Sequence, residues 1–272
     1  MADSSTWKDR WSTIDRARDP VGFVRAMDAF RRQRADDPAA YPFFDLLKVR
    51  TGDRVLDVGC GLGGAVRALA PSVGTTGLVV GVDNSITMIA EAAQRTVGLA
   101  LPVAYGLGDA HRLPFADDTF DGCFTVGTFE LIANPRRALA EMIRVGRSGA
   151  RIVVNAADFG SWTFAASDPG LTRRILAFAC EHAANGTIAR ELRQYFHEHG
   201  LEDVTVVSRA RGFTSFWFFH DLWLRAWADD AEVAGVISAT EKAAWLEDLA
   251  ERDREGRFAL AGIDYQVCGR KP

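Results

Sequence analysis

Val55-Leu56-Asp57-Val58-Gly59-Cys60-Gly61-Leu62-Gly63-Gly64 runs from a short apolar strand, through a turn, into a helix that begins near Ala65. A brief apolar run bounded by glycine fits a strand in the middle of a parallel sheet. Glycine at 59, 61 and 63 lets the backbone turn tightly and lets a ligand approach the main chain. The first N–H groups of the following helix have no intrahelical partner. Gly59, Gly61 and Gly64 also satisfy the dinucleotide pattern GxGxxG, so the glycines alone do not identify the ligand. Asp57 tips the balance. A carboxylate two residues before the first glycine repels a pyrophosphate but tolerates a ligand that carries an ammonium. Asp83, at the end of the next apolar run, stands where an acid accepts hydrogen bonds from a ribose diol.

Outward from this turn, strands alternate with helices. Strands are predicted at Arg54–Val58, Leu78–Val82, Val103–Leu107, Phe120–Val126 and Gly149–Asn155. Helices are predicted from Ala65, over Ser85–Thr96 with Ser85 as N-cap, and over Pro135–Val145 with Asn134 as N-cap. That alternation implies a parallel sheet with right-handed crossovers. Upstream, Pro20 opens a helix carrying Phe23, Met27 and Phe30, Asp36-Asp37-Pro38 breaks it, and Tyr41–Val49 resumes it. After Ala156 the alternation stops: helices are expected at Asp168–Ala184, Thr187–His199, Phe213–Trp227 and Thr240–Arg254, with strands at Val204–Arg209 and Phe258–Cys268. A strand so late in the chain joins such a sheet neatly only as an antiparallel member. The expected fold is α/β, Rossmann-like and doubly wound, with a mostly parallel seven-stranded sheet, an antiparallel C-terminal strand and a helical lid. Residues 1–50 form the N-terminal lid, 51–156 the ligand-binding core, and 157–272 cap helices and strands completing the same domain.

The bulk composition narrows the function. The chain has 272 residues, 48% hydrophobic, enough for one core with a cap. Charged residues make up 25% and the formal net charge is −4, which disfavours a surface that tracks nucleic-acid phosphates. Arg136, Arg137, Arg144, Arg147 and Arg151 form the densest basic group and read as a solvated helix face and loop. Cys60, Cys123, Cys180 and Cys268 share no CxxC spacing and no metal-ligand spacing with histidine. No metal site and no disulfide framework is expected. Met1–Arg10 is polar, unlike a signal peptide, and no apolar run reaches the length of a membrane span. A soluble cytoplasmic protein is expected.

Taken in order, Val55–Gly64, Val80-Gly81-Val82-Asp83, Gly108-Asp109-Ala110, Leu113-Pro114-Phe115, Phe120-Asp121, Ala138–Gly149 and Arg151–Val154 resemble class I S-adenosylmethionine-dependent methyltransferases, within the ubiquinone/menaquinone-biosynthesis-like small-molecule group. The resemblance covers residues 45 to 155 and implies S-adenosyl-L-methionine as cofactor. On it, Gly59, Gly61 and Gly63 form the turn against the methionine part, with Asp57 near the ammonium. Asp83 takes the ribose hydroxyls, Asn84 and Met88 lie beside the adenine, and Asp109 with the Ala110 N–H binds the adenine edge. Thr125 and the residues up to Gly127 flank the sulfonium.

Methyl transfer from a sulfonium is an in-line displacement in which the protein aligns the reactants and excludes water. It needs a base only if the acceptor must lose a proton. Many relatives carry a histidine just after the fourth strand, where this chain has Leu131. Glu130 and His220 are the substitute candidates, whereas His111, His182, His197 and His199 read as structural or surface groups. Phe213, Phe216, Trp217, His220, Trp223, Leu224 and Trp227 recur at helical spacing, and Phe218 and Phe219 widen the stripe beyond one face. With Trp7, Trp11, Phe23 and Met27 they are expected to form a lid over an apolar small-molecule acceptor, with Trp217, His220 and Trp223 touching it. The same breadth would also serve a homodimer contact. The alternatives are a cofactor-binding enzyme that does not methylate, such as a cyclase, a nicotinamide-dependent oxidoreductase and a non-catalytic binding module. Thr125-Val126-Gly127 is unlike the motif of enzymes that methylate base amino groups.

Overall fold

The apolar runs pair into one twisted sheet in the computed structural model, which describes residues 14–16, 19–31 and 38–272. Trp7, Trp11, Asp36 and Asp37 lie outside the described residues, as do the side chains of Phe30 and Phe218. Helix α1 (Pro20–Arg31) and a single turn, α2 (Phe44–Leu47), precede β1 (Arg54–Val58). Then follow α3 (Gly64–Val73), β2 (Leu78–Asp83), α4 (Ile86–Gln94), β3 (Val103–Leu107), β4 (Phe120–Val126), α5 (Pro135–Val145) and β5 (Gly146–Phe164). The strand order is β3-β2-β1-β4-β5, completed by β7 (Leu260–Arg270) and then β6 (Glu202–Phe213). β1 to β5 run parallel, and β7 lies antiparallel between β5 and β6.

Local chemistry sets the boundaries. The Ser85 hydroxyl accepts the Met88 N–H at 3.2 Å and the Asn134 side chain accepts the Arg137 N–H at 3.0 Å, so both predicted N-caps start their helices. Several boundaries differ from expectation. The helix predicted over Phe213–Trp227 begins only at Trp217 and runs through a π-helical turn to Val233, while Phe213 ends a strand. The helix predicted over Tyr41–Val49 is only Phe44–Leu47, because Lys48 turns left-handed at φ 51° and ends it. β5 does not stop at Asn155. Ala156, Ala157 and Asp158 keep pairing with β7, and after a register shift Thr163 and Phe164 pair again, so its polar and small residues conceal a strand. β6 is likewise longer than Val204–Arg209, ending at Phe213.

Two apolar layers sandwich the sheet. Val66 and Leu69 of α3 pack with Phe43, Val79 and Phe124 on one face. Leu139 and Met142 of α5 pack with Phe120, Ile152 and Phe196 on the other, where Phe196 belongs to α7 (Leu192–Glu198). A third cluster forms the cap from α6 (Pro169–His182), α8 (Trp217–Phe219), the π-helical turn His220–Leu224, α9 (Arg225–Val233) and α10 (Ala239–Arg254). It reaches down to Leu62 and Met88 at the strand tips, and to Ile14, Val24 and Met27 near the N-terminus. The basic group on and after α5 is matched by acids: Arg136 with Glu198, Arg144 with Glu141 and Asp117, and Arg147 with Asp121.

Candidate cofactor and acceptor site

The strand order reverses between β1 and β4, the topological switch point where open α/β sheets bind ligands beyond the carboxyl ends of their strands. A cavity of about 580 Å³ opens there. It is lined by Gly59 and Gly61 after β1, Asp83, Asn84 and Met88 after β2, Asp109 and Ala110 after β3, and Gly127 and Thr128 after β4. Leu131, Ile132, Ala133, Ala184, Ile14 and Met27 close it with apolar surface.

Each turn is built so that its neighbour can approach. Gly59 sits at φ 76°, and a β-carbon on it would stand 2.3 Å from Thr128 Oγ1, so only glycine allows the turns after β1 and β4 to touch. The N–H groups of Gly59 and Cys60 both donate to the Val82 carbonyl, at 2.8 and 2.9 Å. Gly61 N–H donates to Asp83 Oδ2 at 2.9 Å. These donors are therefore satisfied internally. A pyrophosphate asks for free N–H donors, whereas a ligand with an ammonium asks for carbonyls and carboxylates, and the latter are what this rim offers. Asp83 Oδ1 accepts the Ser85 N–H at 3.0 Å. These two backbone bonds hold the Asp83 carboxylate rigid at the rim of the cavity.

Asp109 is fixed by His111. Its Oδ1 takes the His111 N–H at 2.9 Å and ring Nδ1 at 2.7 Å, while His111 Nε2 accepts the Asn134 N–H at 3.2 Å. The ring thus bridges the Asp109 carboxylate and the Asn134 backbone. Partial burial raises the Asp109 carboxyl, but the two bonds from His111 outweigh it and hold the group below the usual aspartate range. Buried Glu141 on α5 secures the same loop by accepting the Leu113 N–H at 2.9 Å.

The segment before β1 also reaches this rim. Asp15 accepts the Ser85 hydroxyl at 2.7 Å and the Ile86 and Thr87 N–H groups at 2.8 and 3.1 Å, at the start of α4. Asp28 of α1 pairs with Arg95 just beyond the end of α4.

Seven of the sequence-predicted cofactor residues thus meet at one cavity: Gly59, Gly61, Asp83, Asn84, Met88, Asp109 and Ala110. Three stand behind it. Asp57 is buried beneath the turn, Gly63 packs under the Tyr105 ring, and Thr125 is fully buried with its hydroxyl donating to Val58 O at 2.7 Å. Their neighbours Val126, Gly127 and Thr128 form the wall instead. The residues predicted to touch the acceptor are placed elsewhere. Trp223 is buried against Phe159, Trp162 and Trp227, with ring centroids 5.7, 6.5 and 5.8 Å away. Trp217 is 56% exposed, and His220 lies against Phe216 and Trp217. None of the three lines the cavity. The wall residues Ile14, Leu131, Ile132 and Ala184 were not singled out as contacts. Ordinary aliphatic side chains carry no chemical signature; the apolar stripe upstream, and the place of Leu131 just after the fourth strand, were the signals for this wall.

Comparison with known proteins fits the geometry. Residues 56–154 match the family described as a methyltransferase domain. An uncharacterized 37.1 kDa protein of a Streptomyces fradiae transposon is 34% identical over 228 residues, covering 83% of this chain and 65% of that one. The ubiquinone/menaquinone biosynthesis C-methyltransferase UbiE of Methylococcus capsulatus is 38% identical over 114 residues, 40% of this chain and 45% of that one. The chain therefore spans less than two thirds of either relative. A putative methyltransferase from Bacillus halodurans shares the fold at a TM-score of 0.58 and 20% identity, over 87% of this chain and 99% of that one.

The sheet order, the glycine turn and the acids at successive strand tips define a class I methyltransferase fold. Residues 56–154 match a methyltransferase domain, and S-adenosyl-L-methionine is the cofactor of that class. The site fits this group: rigid carboxylates at Asp83 and Asp109, backbone surface at Gly59 and Gly61, and a cavity of suitable size. No helix among the described residues is long and apolar enough to cross a membrane.

Proposed function

We propose that the chain transfers a methyl group from S-adenosyl-L-methionine to a small, largely apolar organic molecule, a quinone, polyketide or terpenoid-like scaffold. The observation that carries this reading is the line of Asp109, Asp83, Gly59 and Gly127 around a single cavity at the switch point. When bound, the cofactor supplies a methyl carbon already activated by a positively charged sulfur. Asp83 would hold the ribose hydroxyls, Asp109 and Ala110 the adenine edge, and the glycine turn the methionine end. The protein's part is alignment and exclusion of water. An acceptor held against Gly127 and Thr128 would take up that methyl group, with the cofactor's neutral thioether left behind. Leu131, Ile132, Ala184, Ile14 and Met27 give the cavity an apolar wall that favours an acceptor of low polarity. The segment before β1 acts as a lid in this reading, supported by the bonds of Asp15 to the start of α4 and by the Asp28–Arg95 pair.

Calorimetric titration tests the first half of the reading. S-adenosylmethionine should bind, and Asp83→Ala should weaken it by roughly 10- to 100-fold, the loss expected for hydrogen bonds to a charged group. Parental affinity in Asp83→Ala removes the assignment. Release of S-adenosylhomocysteine with apolar hydroxylated acceptors tests the second half, and conversion of an acceptor without that release assigns the site to chemistry other than methyl transfer.

A further inference from the structure

Glu130 is 3% exposed and follows the wall residues Gly127 and Thr128. Its Oε1 accepts the Ala157 N–H of β5 at 3.1 Å, and its backbone carbonyl accepts the Asn185 N–H at 3.1 Å. Its Oε2 is buried with no hydrogen-bond partner among the described residues. Burying a carboxyl oxygen without a partner is costly, and glutamine or methionine would occupy the space without an ionisable group.

The position of this acid matters because of what lies in front of it. Gly127 has φ 65°, and a β-carbon on it would stand 3.9 Å from Glu130 Oε1. The carboxyl is therefore one backbone layer behind the cavity wall, with no side chain at 127 to screen it. The strand tips fall in the order β3, β2, β1, β4. A cofactor with its adenine at Asp109 and its ribose at Asp83 has its sulfur toward the Gly59 and Gly127 end.

We propose that Glu130 makes the site charge-selective: its carboxylate favours the cationic sulfonium over the neutral thioether left after transfer, and so assists exchange of spent cofactor. The inference rests on the cofactor reading above and adds a specificity-determining residue to it.

The surroundings put that charge in play near neutrality. Burial, the dominant cause, pushes the Glu130 carboxyl up to about 7. The Ala157 N–H favours the ionised form, while Asp264 on β7 opposes it and Arg211 on β6 supports it. Arg211 and Asp264 are themselves bonded at 2.9 Å, so their effects on Glu130 partly cancel. A positive charge arriving in front of Gly127 lowers the pKa of Glu130. By linkage the extra affinity for the sulfonium is complete above the free-protein value and is lost as pH falls through the lower, ligand-bound value.

The test is titration of wild type and Glu130→Gln with S-adenosylmethionine and with S-adenosylhomocysteine from pH 5.5 to 8. The preference of wild type for the sulfonium should rise roughly tenfold across this range relative to Glu130→Gln, the size expected for unit charges separated by several ångströms at intermediate dielectric. Titration of the ligands' own amines is common to both proteins and cancels. Carbon-13 NMR of the glutamate carboxyls gives a second readout that needs no variant. The Glu130 midpoint should fall by about one pH unit with the sulfonium and not with the thioether. Equal preferences in both proteins at every pH, or a Glu130 midpoint indifferent to the ligand's charge, overturn the proposal and leave cofactor binding intact. Failure of wild type to bind either ligand removes the cofactor reading and this inference together.

Discussion

The rim of the cavity and the aromatic cap solve different problems. The rim is assembled from residues that end successive strands, so each side chain's position follows from where its own strand stops. Asp83 and Asp109 are then locked by short-range bonds to Gly61, Ser85 and His111. The cap works through packing between distant segments. Phe159, Trp162, Trp223 and Trp227 come from two parts of the chain and meet as an interlocking group, with Trp162 to Trp227 at 5.6 Å and Phe159 to Trp223 at 5.7 Å. A substitution in the rim disturbs bonds that are local to one or two turns. In the cap, chemistry and fold are the same thing.

If that contrast holds, the largest effect belongs in the cap. Trp227 is 1% exposed, and Trp227→Ala should cost about 3–5 kcal/mol in chemical denaturation, through lost burial and the cavity left behind. A loss under 1 kcal/mol would mean that the cap is not a packed unit. Glu130→Gln comes next and has the opposite sign. A buried acid whose folded-state pKa is raised from 4.5 to about 7 binds its proton more tightly when folded, so its contribution falls as pH rises between those values. At pH 8 the glutamine variant should be more stable than wild type by about 3 kcal/mol, with the gap closing below pH 4.5, as read from denaturation midpoints across pH. Asp15→Ala, which removes the cap that the N-terminal segment places on α4, should cost about 1 kcal/mol and raise protease sensitivity upstream of β1. Unchanged cleavage would show that this segment does not dock through Asp15. The smallest effect is expected of Trp217→Ala. At 56% exposure it should shift stability by less than about 0.5 kcal/mol and leave cofactor affinity as it was, and a larger shift in either would move Trp217 out of the periphery.

The same contrast explains what could be read in advance. The glycine turn and Asp83 were legible because each ends its own apolar strand, whereas Asp109 came from the family resemblance of Gly108-Asp109-Ala110. The Ser85 and Asn134 caps were legible for the same local reason. The extension of β5 to Phe164 was not, because Asp158, Gly160 and Ser161 carry little strand preference and pair with β7 through tertiary context. The aromatic segment was recognised as unusual, but Trp223 and Trp217 were expected at the acceptor. An apolar stripe has the same appearance whether it faces a ligand or another helix, and here Trp162 and Phe159, far away in the chain, occupy the face of Trp223. His111 read as structural from its position alone. Its actual work, joining Asp109 to the Asn134 N–H, depends on two loops that only the folded sheet brings together.

The placement of β7 between β5 and β6 also orders events in time. β1 to β5 are consecutive neighbours or near neighbours and can pair as soon as they are made, but β6 touches the sheet only through β7. Its residues must wait for a strand that comes some fifty residues later, and the cap helices between β5 and β7 are looped out until that closure occurs. The half of the molecule that carries the Asp83 and Asp109 rim is thus free to form first, and the aromatic cap is completed last.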